Sequence, residues 1–484
     1  MDPRRLLGLR LLRLLNRGGT AVGGILLLVL PVVPIVVSAQ SPCPAPPPPF
    51  QSLRYEENYQ FLGNPACHID FWDPVKFLPL NEVGDSYVTM GGEVRERYEY
   101  YKNNLWGQGP QDSNGFLLQR YTLHADLRLG PDIRFFGQLS SNLETGRTGG
   151  PRPTDEDKLD VHQAFGDLRG SIGSTTLTLR AGRQEFSYGS ERLVGVREGP
   201  NVRLSFDAVR LIAEADPWRM DAFVSRPVQT KRNIFDDDSD RTQAFWGVYA
   251  VGPLPALPAG KIDLYYLGVD RQGAGFDQGT ASEQRHTLGA RLWGQPGNWD
   301  YNVELIYQFG SFGSGTIQAW AASSNSGYTF RSVPLQPRIG LRAEVNSGDR
   351  DRNSRNLQTF NALFPNGSYF GEIGLIGPAN LMDLHPSLDL HITQAVTLTL
   401  DWDWFWRESP SDGVYSPPGG LLRSGVGSGA RYVGTQGEVQ ATWQIDRHLS
   451  VTANYTHFFT GAFLKQTGPA QDIDFVAAWV AYKF

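Results

Sequence analysis

Long segments in which apolar and polar side chains alternate are the feature that most limits the fold of this chain. In residues 299–310, Tyr301, Val303, Leu305 and Tyr307 alternate with residues that are mostly polar. A period of two places the two sets on opposite faces of a β-strand. The same pattern recurs over 337–346 and 396–407, and it predicts a protein built almost entirely of β-strands.

Composition alone leaves a soluble β protein and a membrane β-barrel both open, and strand length separates them. The alternating segments run to ~10–14 residues, which is enough to cross a bilayer at a tilt, whereas soluble strands average ~5–6 residues. Aromatic residues gather at the ends of the apolar faces, as in Trp402, Trp404 and Trp406. Membrane barrels carry aromatic girdles there, so we expect the apolar faces to contact lipid and the polar faces to line a wet lumen.

The connectors between the alternating segments differ in length from one to the next. Long polar connectors such as 184–200 and 347–382 are separated by tight ones such as Gly130-Pro131. Long loops at one rim and short turns at the other are typical of outer-membrane barrels. We therefore predict an all-β fold: a single transmembrane antiparallel β-barrel of about 18 strands with both ends periplasmic. The poorer pattern of 311–335 leaves a count of about 16 as the alternative.

The first 39 residues differ from the rest of the chain and predict an export signal. Five arginines precede an apolar run at 21–37, and the run is followed by the small residues that a signal peptidase reads. A membrane anchor is the weaker alternative, because glycines and prolines interrupt the run and it falls short of ~20 residues. We expect cleavage after Ala39.

Two domains are predicted after the 1–39 signal peptide. Residues 40–86 form a periplasmic Pro-rich segment, and residues 87–484 form the outer-membrane barrel. Cys43 and Cys67 lie in the first of these and could pair in an oxidising periplasm.

Charge and residue choice disfavour one class of partner and favour another. The chain has 44 Lys+Arg and 50 Asp+Glu; the leader holds five arginines and one aspartate, so 39 basic and 49 acidic residues follow it. Without a basic excess to neutralise phosphates, nucleic-acid binding is disfavoured. Only seven basic residues are lysines. Arginine grips a carboxylate at two points, whereas lysine is a point charge, so this bias suits carboxylated partners.

Six sequence blocks are distinctive: 91–100 (GGEVRERYEY), 116–128 (FLLQRYTLHADLR), 182–186 (GRQEF) with 197–203 (REGPNVR), 371–380 (GEIGLIGPAN) and 465–469 (KQTGP). Together they resemble the alginate-export family of outer-membrane channels, over nearly all of residues 80–484. The resemblance implies an 18-stranded barrel whose arginine-rich constriction passes a polyuronate. It also implies a long periplasmic turn near the C-terminal end that acts as a plug, but only Asp446-Arg447 is available there.

Parity along each predicted strand directs a set of charged side chains into the lumen. A ring of arginines attracts anions, and carboxylates among them position the guanidinium groups and keep a polyanion from being held too tightly to leave. Salt bridges that merely fill a wide lumen are the alternative for any single residue. The predicted pore-lining residues are Arg95, Arg97, Arg120, Arg128, Arg134, Arg180, Arg203, Asp207, Arg291, Arg338, Arg342, Glu344, Asp401, Asp403 and Arg407.

Two loops carry further hypotheses. Asp236-Asp237-Asp238-Ser239-Asp240 offers the hard oxygen ligands that Ca²⁺ prefers. A solvated acidic loop is the simpler interpretation, and we predict no metal site. The long connector 347–382 either folds into the mouth or is a mobile loop.

We therefore predict a passive outer-membrane channel of a Gram-negative-type bacterium that conducts an anionic polysaccharide or oligosaccharide, without cofactor or catalytic residues. A porin for small anionic or other hydrophilic solutes is the alternative within transport. A structural or surface-binding barrel with a blocked lumen is the alternative from another class. We expect a monomer whose partners are the anionic saccharide, outer-membrane lipid and lipopolysaccharide, and the barrel-assembly machinery, which would read the terminal Phe484.

Overall fold

The protein is a closed ring of long antiparallel strands, in a computed structural model that describes residues 43–44 and 46–484. The signal peptide predicted at 1–39 lies outside the described residues. In chain order the strands are β1 Leu78–Pro79, β2 Tyr87–Lys102, β3 Phe116–Leu129, β4 Ile133–Thr145, β5 Asp157–Ile172, β6 Thr175–Gln184, β7 Phe206–Ala215, β8 Trp218–Gln229, β9 Asp238–Ser239, β10 Gln243–Pro253, β11 Gly260–Phe276, β12 Gly279–Gly294, β13 Trp299–Phe312, β14 Gly315–Thr329, β15 Arg338–Asn346, β16 Leu381–His391, β17 Val396–Trp406, β18 Val414–Tyr415, β19 Leu421–Arg423, β20 Tyr432–Gln444, β21 Leu449–Thr460 and β22 Ile473–Lys483.

Helices are few and short. The α-helices are α1 Asp73–Lys76, α2 Asn104–Gly107 and α3 Ala462–Thr467, and 3-10 turns lie at Arg54–Glu56, Gln60–Gly63 and Pro65–Cys67. Among the described residues, no helix has the length and apolar character needed to cross a membrane.

Eighteen of the strands form the ring, and β1, β9, β18 and β19 are short pieces outside it. Each ring strand pairs with the next, and β22 returns to β2 in a ladder that runs from Glu93–Lys483 to Lys102–Asp474. Closure satisfies the backbone hydrogen bonds of every strand, which a sheet surrounded by lipid requires. The predicted barrel and its count of 18 strands are confirmed, and the alternative of 16 is excluded.

The alternation read from the sequence is the alternation between the two faces of the wall. On β13, Leu305 is 60% exposed and Tyr307 48% exposed on the outside, whereas Glu304 and Gln308 are buried on the inside. On β17, Trp402 lies outside and Asp403 inside. The outer face is therefore apolar and suited to lipid, and polar groups are turned inward.

Connector length distinguishes the two rims. Turns at one rim are short, and those after β3 and β5 contain Gly130 (φ +63°) and Gly173 (φ +60°), which tolerate the left-handed backbone that a tight turn needs. The other rim carries the long loops 185–205 and 347–380. We assign the short-turn rim to the periplasm and the long-loop rim to the outside. The stretch 311–335 resolves into a tight turn at 313–314 and the long strand β14, so this extracellular connector is an exception.

An N-terminal segment, residues 46–86, lies at the periplasmic rim. Cys43 and Cys67 form a disulfide with a Cα–Cα distance of 5.3 Å, so the predicted pairing is confirmed. Tyr59, Leu62 and Phe77 of the segment pack with Tyr87, the first residue of the first ring strand. At the barrel seam, Arg54 donates hydrogen bonds to the carbonyl oxygen of Gly92 on β2 at 3.0 Å and to that of Phe484, the residue after β22, at 2.7 Å. These contacts fix the segment to the barrel.

Candidate functional site

Two extracellular loops fold into the barrel and pair with each other. We call residues 185–205 the first inward loop and residues 347–380 the second. The amide of Gly195 donates to the carbonyl of Phe364 at 2.9 Å, and the amide of Phe364 donates to the carbonyl of Leu193 at 2.9 Å. Phe186 and Val194 pack with Phe364 and with apolar residues of the inner wall in one buried cluster. The two loops therefore fill part of the lumen.

Arg95 and Arg120, on neighbouring strands, hold the first inward loop. Arg95 Nη1 donates to the carbonyl of Glu198 at 2.9 Å, and Arg120 Nη1 contacts the Glu198 carboxylate at 2.9 Å. Arg120 Nε also donates to the carbonyl of Asn201 at 2.9 Å. Burial favours the neutral acid, but Arg203 and Arg120 outweigh it and hold the pKa of Glu198 below its usual range. These inward arginines bind a loop rather than face open water.

Arg97 and Arg342 hold the second inward loop from strands six apart along the shorter arc of the barrel. Arg97 pairs with Glu372 at 2.8 Å and with Glu99 at 2.7 Å. Arg342 donates to the carbonyl of Tyr369 and lies 3.6 Å from Glu344. Both guanidinium groups therefore contact one short stretch of this loop.

Three predicted pore residues are placed differently from the expectation. Alternation in the sequence predicts a strand at 201–213 that would carry Arg203, but β7 begins at Phe206. Arg203 belongs to the first inward loop, where it pairs with Glu185 at 2.6 Å. Asp207 shares the outward parity of β7 with Val209 and pairs with Arg183.

Arg407, the third, follows the end of β17 and lies among backbone carbonyls of the loop 407–431. It donates to Pro410 and Asp412 at 2.9 and 2.8 Å and is fully buried. It therefore organises an extracellular loop rather than the lumen wall. Parity cannot be extended past a strand end, because the chain no longer follows the pleat.

The remaining predicted residues on the wall face inward and are paired with opposite charges. Such pairs fix the side chains and lower the net charge of the wall. The nitrogen–oxygen distances are Arg291–Asp263 2.8 Å, Arg338–Asp300 2.7 Å, Arg192–Glu344 3.2 Å, His385–Asp401 3.1 Å and His385–Asp403 2.6 Å.

At the periplasmic mouth, a cavity of about 840 Å³ is lined by five arginines and five carboxylates. Arg128 and Arg134 share Asp126, and Arg134 and Arg180 share Asp167. The predicted Arg128, Arg134 and Arg180 thus come together at one mouth, with positive and negative groups interleaved. The lining also includes Arg169 and Arg219, which parity along the strands did not single out.

The N-terminal segment forms one wall of this mouth through Tyr55. The ring of Tyr55 lies edge-on to Phe165 with centroids 5.3 Å apart, and its hydroxyl donates to the carbonyl of Glu185 at 2.9 Å. Arg180 stacks over the same tyrosine at 4.4 Å from the ring centroid. The segment therefore reaches inside the barrel and contacts the first inward loop.

At the extracellular mouth, a cavity of about 290 Å³ adjoins a second of about 410 Å³, and Arg271 lines both. Arg197 of the first inward loop lines the smaller one, together with Arg271 and Asp240. Burial and the charge of Arg271 together lower the pKa of Arg197 to about 10, so it stays cationic at neutral pH. Arg271 lies 3.8 Å from Glu283. Thr242 and Gln243 donate hydrogen bonds to the carboxylate of Asp240. The two arginines outnumber the one carboxylate of the lining, so this mouth carries net positive charge.

Sequence reasoning missed both residues of this mouth. Arg197 opens the block 197–203, but no strand parity applied to it. Alternation in the sequence ends at residue 270, one residue before Arg271, whereas β11 continues to Phe276. Extending the strand by one residue directs Arg271 inward.

Solved structures with the same fold are outer-membrane proteins of Pseudomonas aeruginosa. OccK2 (OpdF) in complex with glucuronate is 13% identical at a TM-score of 0.53, covering 84% of this chain and 99% of that one. OpdK with vanillate is 11% identical at a TM-score of 0.53, covering 82% and 98%. OccK8 (OprE) is 13% identical at a TM-score of 0.52, covering 82% and 98%. No curated protein matches the sequence.

A protein-family model described as alginate export matches residues 86–477, which is nearly the whole ring of strands and both inward loops. The match agrees with the blocks that carried the resemblance and with a barrel that resides in the outer membrane. The chain belongs to the alginate export family of outer-membrane β-barrel channels.

Proposed function

We propose that this channel conducts carboxylated saccharides of the alginate-like polyuronate class by passive diffusion. The observation that carries the proposal is the Arg197–Arg271 pair, two cations at the extracellular mouth in a cavity whose lining holds one carboxylate, Asp240, which already accepts hydrogen bonds from Thr242 and Gln243. A carboxylate bound between them would relieve their repulsion, and arginine can grip it at two points. The family and the glucuronate complex of OccK2 support a uronate as the solute.

The interleaved positive and negative charges of the periplasmic mouth suit release of the polyanion. The five arginines there face five carboxylates, so a polyanion would find donors without a deep electrostatic trap. The predicted residues Arg128, Arg134 and Arg180 would act at this mouth. The proposal includes no catalytic step.

A porin for small carboxylates is the second candidate, and one observation favours it. The two inward loops and the N-terminal segment occupy much of the lumen, which suits a monomeric solute better than a continuous chain. The length of uronate that the channel accepts distinguishes the two.

The test is single-channel recording of the purified protein in planar bilayers, with oligouronates of increasing length added. We expect anion preference, and block that lengthens from monomer to oligomer if the solute is a chain. A neutral oligosaccharide of matched length is the control solute. Block by the monomer alone would assign the channel to small carboxylates, cation preference would refute the proposal, and an absence of conductance would favour the barrel with a blocked lumen.

Two variants test whether block depends on Arg197 and Arg271. Removing both charges with Arg197→Gln and Arg271→Gln should shorten block about 10-fold or more, because a charge-assisted hydrogen bond contributes ~1.5–3 kcal/mol. Arg350→Gln changes the charge of the same rim at a side chain that is 64% exposed, and it should leave block unchanged. Equal block in the double variant and the wild type would refute the role of the pair.

A further inference from the structure

Three aspartates meet at the extracellular rim. Asp157 and Asp160 come from the start of β5, and Asp237 comes from the loop 230–242 between β8 and β10. Each offers a carboxylate oxygen, and these oxygens all lie within 4.8 Å of one another. We call this set the rim carboxylates.

Backbone contacts between β5 and the loop 230–242 bring the rim carboxylates together. β5 pairs with β6 only from Ala164 onward, so its first residues have a free edge. The loop 230–242 covers that edge: the amide of Phe235 donates to the carbonyl of Leu159 at 2.9 Å, and Leu159 bridges Ile234 in parallel. The rim carboxylates therefore come together through backbone contacts, although their mutual repulsion opposes it.

Positive charge near the rim carboxylates is scarce. Arg183 lies 3.6 Å from Asp160 but contacts Asp207 more closely, at 2.9 Å. Lys231 pairs with Asp238, which is not a member of the set, at 2.7 Å. One shared guanidinium thus serves three carboxylates.

Asp157 is the least satisfied member. It is 3% exposed, and its Oδ1 is buried without a hydrogen-bond partner. An oxygen of the neighbouring Asp236 is also buried without a partner. Leaving a buried carboxylate oxygen unpaired is costly, so the arrangement favours a cation as the partner of these oxygens.

We propose that the rim carboxylates bind a Ca²⁺ ion that latches the loop 230–242 to β5. Clustered carboxylates are hard oxygen ligands, and Ca²⁺ accepts six to eight oxygens in flexible geometry, so water and carbonyl groups complete the shell. Mg²⁺ demands a regular octahedron and gives up its water reluctantly, so it fits less well. The affinity belongs to the range of extracellular modules, about 10⁻⁴–10⁻³ M.

The ion would also steady one wall of the extracellular mouth. The loop 230–242 supplies Asp240 and Thr242 to the lining of the smaller cavity there. The proposal does not depend on what the channel conducts, because its test measures binding and loop protection.

The test uses the full barrel, folded in detergent and freed of metal with EDTA, and titrates it with CaCl₂ and separately with MgCl₂. Calorimetry measures binding, and hydrogen exchange measures protection of residues 230–240. We expect Ca²⁺ to bind and to slow exchange in this loop at least 10-fold, with a weaker response to Mg²⁺. An absence of Ca²⁺ binding, or an equal response to Mg²⁺, overturns the assignment.

Replacing a ligand should lower Ca²⁺ binding but raise protection of the loop in EDTA. A cluster that binds no ion would not show these opposite effects. Asp157→Asn and Asp237→Asn should each weaken Ca²⁺ binding at least 10-fold, yet in EDTA they should protect the loop better than wild type, because repulsion is relieved. Asp238→Asn is the matched control, since Asp238 lies in the same loop with its side chain 76% exposed. Binding in both variants that equals the control overturns the proposal. Asp237 lies outside the strands, so its variant carries the test if Asp157→Asn fails to fold.

Discussion

Tyr55 anchors the N-terminal segment inside the periplasmic mouth, and its removal should open that mouth. The side chain is 3% exposed; it packs edge-on to Phe165 and Phe136 with centroids 5.3 and 6.0 Å apart, and it donates a hydrogen bond to the first inward loop. Truncating a packed aromatic residue to alanine costs ~3–5 kcal/mol. The two aromatic pairs supply ~0.5–1.5 kcal/mol each and the hydrogen bond ~1 kcal/mol of that cost.

The loss of free energy should weaken docking of the N-terminal segment rather than folding of the barrel, because Tyr55 lies outside the ladder of strands. A loss of ~3–5 kcal/mol at ~1.4 kcal/mol per tenfold weakens docking by about two to three and a half orders of magnitude. Tyr55→Ala should therefore leave a folded barrel whose N-terminal segment is released.

Limited trypsin digestion and bilayer conductance measure the release. In Tyr55→Ala we expect fast cleavage after Arg54 or Lys76 and a higher conductance, while the barrel keeps its heat-modifiable migration on gels. Phe71→Ala is the control, because Phe71 belongs to the same segment and is 84% exposed. If cleavage and conductance in Tyr55→Ala match those of the control, the segment does not obstruct the mouth.

The lipid face, the loop anchors and a buried lysine each give a further test. Leu305→Arg should cost ~2–4 kcal/mol of folding free energy in urea titrations with lipid vesicles, and the inward Thr399→Arg much less; equal costs would reverse the face assignment. Replacing Arg97 and Arg342 together with alanine should lower anion-over-cation selectivity and add current noise, because both hold the second inward loop; an unchanged reversal potential would leave them as lumen-filling ion pairs. Burial, with a neighbouring arginine, lowers the pKa of Lys76 to about 7. The released segment then binds a proton that the docked one lacks between pH 7 and ~10.4, so protection from protease should rise with pH in that window, and Lys76→Met should abolish the trend.

The strands could be predicted from sequence because the wall has lipid on one side. Lipid accepts only apolar side chains, so residues such as Leu305 and Trp402 repeat with the pleat and mark each strand. In the stretch 201–205, alternation of apolar and polar residues does not mark a strand. Val202 and Leu204 mimic the alternation, yet their amides donate to Thr154 of another loop and to Val196 of the same inward loop, not to a neighbouring strand. Their burial comes from packing inside the lumen, which has no fixed period.

The functional site was less predictable because the carboxylates that pair with its arginines lie far from them in the sequence. Parity placed Arg120 and Arg97 on the inner wall, and the structure agrees. It could not show that the carboxylates of Glu198 and Glu372 reach them from the inward loops. The charges left uncompensated, such as Arg197, lie on those loops, where no rule of alternation applies.

The pairing of the two inward loops has a consequence for biogenesis. Their hydrogen bonds join Gly195 to Phe364, on loops that begin at strands eight apart, nearly across the barrel. Such a contact cannot form on a flat or half-curved sheet, because the loops come within reach only after β22 has met β2. Local hairpins form early and the most distant contacts late. We therefore expect a nascent barrel to have a wider bore before the loops pair, and a barrel that stalls at that stage to admit bulky toxic molecules through the outer membrane.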